Sequence, residues 1–288
     1  MNDSFRKNII DIYGKQGQDW FDSLANTTLQ LAKKYNLSDL QPVDNMSFNY
    51  VAKGYQGEKP IILKLGMNHK AIAREAEALN AYHGIDSPKV LSLEDGLILM
   101  ERAVPGSTLK DFFPDRDIQA VETVSNIIKD LHKISIPDNN NFYSLEYILK
   151  TLDNELDIPK NIIKKARKLR DELLGSSQRQ VLLHGDLHHD NILKNGNGWM
   201  VIDPKGFIGD PCYEVCAFIS NPIPDLLDFG NPKEIIDNRI QLFSQNLGFS
   251  EQRIRDWHFV QVVIGFAWCL EDRIDHSYFK KLASLLLQ

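Results

Sequence analysis

His184-Gly-Asp-Leu-His-His-Asp-Asn-Ile-Leu193, followed by Val201-Ile-Asp203-Pro-Lys-Gly206, is the stretch on which the reading of this chain turns. The spacing from Asp186 to Asn191 lets a loop present a carboxylate outward while an amide turns back toward a metal. Apolar Val181-Leu-Leu183 before the loop, Ile192-Leu193 after it and Trp199 to Ile202 ahead of Asp203 read as short buried strands, which hold the polar side chains on rigid backbone. A loop carrying this many polar groups calls for a reason beyond packing. Magnesium binds through one or two carboxylates and keeps waters and phosphate oxygens. Asn191 and Asp203 are therefore the expected metal ligands, with Asp186 as the expected catalytic carboxylate.

His184, His188 and His189 offer a rival, since metal-dependent hydrolases also gather histidine and aspartate. Zinc takes His or Cys at measured spacings, and neither HExxH nor CxxC occurs here. The plainer expectation is that His184 braces the loop through backbone hydrogen bonds, with His188 and His189 facing solvent or standing behind the site.

In protein kinases an Asp and an Asn spaced in this way flank the reacting hydroxyl and one Mg²⁺. Such a site needs an upstream lysine on a strand and a carboxylate on the next helix. Ile61-Ile-Leu-Lys64-Leu65 supplies the lysine. The helix expected over about His69 to Tyr82 carries Glu75 and Glu77, which lie on different helix faces. Glu75 is the expected partner of Lys64, leaving Glu77 toward solvent. Gly96-Leu-Ile-Leu-Met100-Glu-Arg-Ala103-Val-Pro-Gly106 then reads as an apolar strand running into a Pro-Gly turn, a hinge between two lobes. Backbone groups of Glu101 and Ala103 are candidates to hydrogen-bond adenine with Met100 against the ring, although core packing is the usual fate of methionine.

With these stretches in hand, the chain resembles the aminoglycoside phosphotransferase superfamily. Leu99-Met-Glu-Arg-Ala103, Ile202-Asp-Pro-Lys-Gly-Phe-Ile-Gly-Asp-Pro211 with Tyr213-Glu214 and Asn221-Pro222, and Ala267-Trp-Cys-Leu-Glu-Asp272 resemble its branch of streptomycin 6-phosphotransferases and hydroxyurea kinases. The resemblance runs from roughly Phe48 to the C-terminus. It implies an α+β, bilobal protein-kinase-like fold, with a small β-rich N-terminal lobe over residues 1–102, leading helices included, and a larger, mainly helical catalytic and substrate-binding lobe over 103–288. It also implies ATP and Mg²⁺ as cofactors, with Asp186 orienting a substrate hydroxyl, Asn191 and Asp203 holding Mg²⁺, and Lys64 touching ATP phosphates while paired with Glu75. An aspartate with an ordinary pKa near ~3.9 is a feeble base for an alcohol. A loose, metaphosphate-like transition state asks little deprotonation of the nucleophile until late, so positioning and charge neutralisation carry most of the rate.

One stretch departs from the protein-kinase pattern: Asp44-Asn-Met-Ser-Phe-Asn-Tyr50 stands where a glycine-rich loop is expected and contains no glycine. Ser47 or neighbouring N–H groups still suffice for an anion site, because any turn that aligns N–H groups makes one. The acceptor is expected beside Asp186 against the C-terminal helices, where Trp268, Glu271 and Asp272 close an apolar helical run, Trp257 to Asp272, with Asp275 just beyond. Carboxylates there suit a polycationic sugar on which the indole stacks. The alternative is a solvated helix terminus, although acids are unfavourable at a helix C-terminus, which argues for some role other than that. Asp225 and Asp228, on an expected loop, are weaker candidates.

Bulk properties agree. The 288 residues, 43% of them hydrophobic, suffice for a core divided over two lobes. A net charge of −6 disfavours a nucleic-acid partner and suits a cationic small molecule. Cys212, Cys216 and Cys269 are too few for a disulfide framework and the N-terminal residues show no apolar signal core, so the expected setting is a reducing cytoplasm. The most apolar helix, around Phe259 to Leu270, is too short for a bilayer. Further helices are expected over Asp19 to Tyr35, Gln119 to Ile134, Tyr143 to Leu156 and Lys160 to Leu174, with a loop at Pro137 to Asn141.

Overall fold

Helix α1 (Asp3–Tyr35) is interrupted at Gly14, whose φ of 59° and ψ of −133° are open to glycine at little cost. The helical expectation began only at Asp19, because the break at Gly14 disrupts the apolar periodicity before it. The structure, a computed structural model, describes residues 3–44, 46–138 and 140–287. Met1, Asn2, Asn45 and Asn139 lie outside the described residues, and with them part of the N-terminal, Asp44–Tyr50 and Pro137–Asn141 readings.

Five strands follow: β1 (Leu37–Pro42), β2 (Tyr50–Gln56), β3 (Lys59–Leu65), β4 (Val90–Glu94) and β5 (Leu97–Glu101), with α2 (His69–Ala81) between β3 and β4. They form one sheet in the order β1-β2-β3-β5-β4, every neighbour antiparallel. Alternation gives the sheet two apolar faces. Ile61, Leu63, Leu65, Leu97 and Leu99 pack with Phe5, Ile9 and Leu24 of α1. Ile98 and Met100 point the other way, onto Ile72, Ala76 and Leu79 of α2. Asn68 caps α2 by accepting the Ala71 N–H at 3.1 Å.

The chain divides into two compact units. One comprises the described residues of Met1–Gly106 with Lys194–Met200, and the other those of Ser107–Leu193 with Val201–Gln288. Beyond β5 come β6 (Pro105–Thr108), α3 (Asp117–Leu131), β7 (Tyr143–Ser144), α4 (Leu145–Leu149), α5 (Lys160–Gly175), β8 (Val181–Leu183), β9 (Ile192–Asn195), β10 (Gly198–Val201) and β11 (Phe207–Gly209). Then α6 (Cys216–Ile219), α7 (Asp225–Asp228), α8 (Pro232–Leu247), α9 (Glu251–Glu271) and α10 (Ser277–Leu285) complete it. Two three-stranded sheets have the orders β10-β9-β6 and β7-β11-β8. The helical core of the second unit centres on α9, whose Trp257, Val260, Val263, Ile264 and Phe266 are closed to solvent, and α5, α8 and α10 pack on it. Fully buried Arg239 of α8 is held by Asp117 of α3 at 2.6 and 2.8 Å and by the carbonyls of Phe218 and Ile219.

Three expectations are corrected. Tyr143 to Leu156 is not one helix: Tyr143 pairs in parallel with Phe207, Ser144 caps α4 through the Tyr147 N–H, and a 3-10 turn, Lys150–Asp153, follows. The strand partner lies far along the chain, out of reach of local periodicity. Asp225 and Asp228 sit on a single helical turn rather than a loop. The apolar helix α9 begins at Glu251, ahead of Trp257, where Ser250 accepts the Arg253 N–H. Among the described residues no helix is long and apolar enough to cross a membrane.

Candidate active site

Strand β8 delivers the chain to His184, which is fully buried. Burial holds its imidazole below the ordinary range, outweighing the nearby negative charges of Glu214 and Asp186, so the ring is neutral. Its Nε2 donates to Ile202 O at 2.9 Å and its Nδ1 accepts from the Asp186 N–H at 3.3 Å, tying the loop to the segment that precedes Asp203. Gly185 turns the chain at φ 80°, and a Cβ there would stand 2.7 Å from the Phe207 ring. Asn191 ends a 3-10 turn, His189–Asn191. Its Nδ2 donates to Asp186 O at 2.9 Å, and its carbonyl accepts the Ile202 N–H at 3.0 Å. Asp203 follows in the left-handed region, at φ 60°, a conformation aspartate tolerates better than most residues.

Glu214, which the sequence offers only as part of the family resemblance and without a role, organises this loop. Glu214, almost wholly buried, accepts the N–H of His184 at 2.8 Å and of Gly185 at 2.9 Å and lies 3.4 Å from His132 Nε2. Burial pushes its pKa up, but the hydrogen bond from His132 and the Gly185 N–H bring it below the ordinary value. An acid within the apolar run Cys212-Tyr-Glu-Val-Cys-Ala-Phe-Ile219 was the available signal. Lys205 likewise stands in the sequence motif without a role assigned to it. Its Nζ lies 2.9 Å from Asp203 Oδ2 and 3.3 Å from Asp186 Oδ2, so the two carboxylates face one ammonium.

The donor set fits magnesium. The Asn191 Nδ2 is taken by Asp186 O, which leaves Oδ1 as a ligand atom, and the Asp203 carboxylate is about one-third exposed and already turned toward a cation. Hard oxygen donors in that number, completed by water and phosphate, suit Mg²⁺. The histidines are engaged otherwise. His188 Nδ1 accepts the Asp190 N–H and its Nε2 lies 3.2 Å from Asn191 Nδ2. His189 is fully buried, not solvent-facing: its ring stacks on Phe218 at 3.9 Å with Phe113 edge-on at 6.4 Å. Among the described residues no three or more His, Cys, Asp or Glu are grouped so as to hold a metal.

In the first unit, Lys64 of β3 and Glu75 of α2 pair at 2.7 Å, each side chain only 6–7% exposed. Glu77 is half-buried. Met100 is buried in the apolar cluster beneath α2. The Glu101 N–H is used by Lys89 O at 3.0 Å, whereas among the described residues the Ala103 N–H meets no acceptor. Ser47 is exposed and its carbonyl accepts from Asn8.

Trp268, Glu271 and Asp272 lie at the end of α9. Glu271 accepts from Asn154 Nδ2 at 2.8 Å, and Asp272 is raised above the ordinary carboxylate value by partial burial and then by Glu271. No hydrogen bond or ion pair joins these three to Asp186 among the described residues.

Comparison with known proteins gives the family. The sequence model of the aminoglycoside/hydroxyurea antibiotic resistance kinases matches residues 37–273. The chain is 27% identical to streptomycin 3''-kinase of Klebsiella pneumoniae over 75% of its own length and 82% of that protein. It is 21% identical to streptomycin 6-kinase of Streptomyces griseus over 90% and 87%. Its fold is similar to that of a thermostable mutant of aminoglycoside phosphotransferase APH(4)-Ia, solved in ternary complex with ADP and hygromycin B. The TM-score is 0.67 at 14% identity, covering 89% of this chain and 96% of that one, a likeness that speaks to the protein-kinase-like fold alone. Since the family pattern takes in most of the residues, from β1 through the His184-to-Asn191 loop to the end of α9, the chain belongs to the aminoglycoside/hydroxyurea antibiotic resistance kinase family and is a phosphotransferase.

Proposed function

We propose that the chain is an ATP- and Mg²⁺-dependent O-phosphotransferase that moves the γ-phosphoryl group to a hydroxyl of a small molecule, a streptomycin-type aminoglycoside being the favoured acceptor. The observation that carries this reading is the convergence of Asp186 and Asp203 on one point, with Asn191 hydrogen-bonded to the Asp186 backbone. Asp186 orients the acceptor hydroxyl and takes its proton. Asn191 Oδ1 and Asp203 hold Mg²⁺, which when bound neutralises charge on the phosphate oxygens. Lys64, positioned by Glu75, binds ATP phosphate, while the Ala103 N–H and the Glu101 backbone receive adenine beside Met100. Trp268, Glu271 and Asp272 are the proposed acceptor contacts, and the net charge of −6 suits a polycation.

The test is Mg²⁺-dependent ADP release across aminoglycosides, streptomycin among them, and simple metabolite alcohols, with Asp186→Ala alongside. Stimulation by streptomycin that vanishes in the variant supports site and acceptor together. Stimulation by another alcohol alone keeps the transfer chemistry and discards the antibiotic. Nucleotide binding without turnover on any acceptor sinks the enzymatic reading.

A further inference from the structure

Lys205 has no part in the roles assigned so far, yet it touches both carboxylates of the site. Its backbone is fixed, the N–H donating to His184 O at 2.7 Å between Pro204 and a left-handed Gly206. Its ammonium lies 2.9 Å from Asp203 and 3.3 Å from Asp186, and its side chain remains 41% exposed. Two carboxylates turned toward one point repel each other, and a cation between them relieves that repulsion. A bare structural ion pair is commonly buried against apolar neighbours or lies on an open surface. This one occupies the position where, on the reading proposed above, phosphate charge and metal charge also meet.

Resting on that reading, we propose that Lys205 is a further catalytic residue: its ammonium holds Asp186 and Asp203 in place while no metal is bound, and donates to the transferring phosphoryl oxygens during reaction. An ammonium has three donors, enough to keep Asp186 while one N–H turns from Asp203 to phosphate. The transfer it serves breaks the bond from the γ-phosphorus to the β,γ-bridging oxygen, whose electron pair leaves with ADP. The acceptor oxygen forms the new bond, and its proton passes to Asp186. Lys205 stays protonated throughout and stabilises the charge spread over the equatorial oxygens in the transition state, the kind of preorganised electrostatic contact that lowers barriers most. The same ammonium competes with a divalent cation for Asp203, so the metal-free protein resists metal until nucleotide brings added negative charge.

Lys205→Met removes the charge at nearly constant length, and Lys205→Arg restores it. The measurements are kcat and KM for MgATP, Mn²⁺ binding to nucleotide-free protein by electron paramagnetic resonance, and the melting temperature. Lys205→Met is expected to lose about 100-fold in kcat, the scale of one preorganised donor, with KM for MgATP moving by less than about threefold. Lys205→Arg is expected to recover part of the loss. Nucleotide-free Lys205→Met is expected to bind Mn²⁺ on the order of tenfold more tightly, since no ammonium competes for Asp203. A kcat within about threefold of the unsubstituted chain overturns the catalytic role, and Mn²⁺ binding that is unchanged or weaker overturns the competition. Loss of kcat together with melting temperature and Mn²⁺ affinity marks a merely structural lysine and also overturns the proposal. Should the unsubstituted chain transfer phosphate to no acceptor, the functional reading fails by itself, and Mn²⁺ binding still decides whether Lys205 guards Asp203.

Discussion

Lys64 Nζ and Glu75 Oε2 stand 2.7 Å apart with both side chains almost closed to solvent, so β3 and α2 are joined by an ion pair inside their own unit. Removing one member of a buried pair strands the other charge, at a cost of about 3–5 kcal/mol, whereas replacing both with apolar groups is often neutral. Glu75→Ala is therefore expected to lower stability in urea by about 3 kcal/mol, and Lys64→Met with Glu75→Leu to recover most of it. Nucleotide affinity is expected to fall in both, because the double variant regains the fold without the charge proposed to bind ATP phosphate. A double variant that binds ATP like the parent would remove Lys64 from the nucleotide site.

Glu214 accepts two consecutive backbone N–H groups, those of His184 and Gly185, and only a carboxylate can do so with both oxygens. In Glu214→Gln an amide NH₂ meets one of those N–H donors, which predicts a loss of roughly 2–3 kcal/mol and a lower kcat with KM little changed. The native pKa of Glu214 is below its ordinary value of 4.5. Its contribution is thus complete above that value and is lost as pH falls through the native one. Urea melts of both proteins from pH 6 to pH 3 should converge at the acid end, and a gap that stays constant across the series would refute this account.

The residues that carry chemistry differ in how far local sequence could reveal them. Val181–Leu183, Ile192–Asn195 and Gly198–Val201 are legible as strands because short apolar runs flank polar loop residues, and the protein-kinase-like α+β fold expected from the motif is the fold of its structural relatives. His184 too was expected to brace backbone, as it does toward Ile202. The contacts of Lys205 with Asp186 and of Glu214 with His184 and Gly185 have no local signal, because they are set by the packing of the Asp203-to-Glu214 segment onto β8 and the loop after it, a tertiary event without local period. The burial of His189 depended similarly on Phe218 and Phe113, which approach from distant elements. Tyr143 was misread as helix because its ladder partner, Phe207, lies in a strand of three residues.

His258, buried in α9 with Nε2 2.9 Å from Ser220 Oγ, is held down to about 3, first by burial and then by the charges of Arg239 and Arg255. A histidine that stays neutral in the fold but charges when unfolded adds stability that is complete above 6.5 and declines as pH falls toward the native value. The slope approaches 1.4 kcal/mol per pH unit, about one proton. His258→Gln keeps a polar partner for Ser220 and removes this proton. Stability measured between pH 6 and pH 4 is expected to fall less steeply in the variant, by about 1 kcal/mol per unit. Parallel curves would mean that His258 is protonated in the folded protein.

Gly185 separates the bracing histidine from Asp186, the proposed catalytic carboxylate, and two independent demands meet there. Its φ of 80° disfavours any side chain, and a Cβ would press to 2.7 Å from the Phe207 ring, which belongs to the strand paired with β8. Gly185→Ala thus carries a backbone cost of about 1–2 kcal/mol and an overpacking cost of about 1–3 kcal/mol. Phe207→Leu should relieve only the second. Stability of Gly185→Ala with Phe207→Leu is accordingly expected to exceed the sum of the single effects, while kcat stays low, because the left-handed turn that aims Asp186 is still opposed. Recovery of full activity in the double variant would show that the ring, and not the backbone conformation, makes glycine necessary. Strictly additive losses in stability would show that alanine at this position never meets the ring at all.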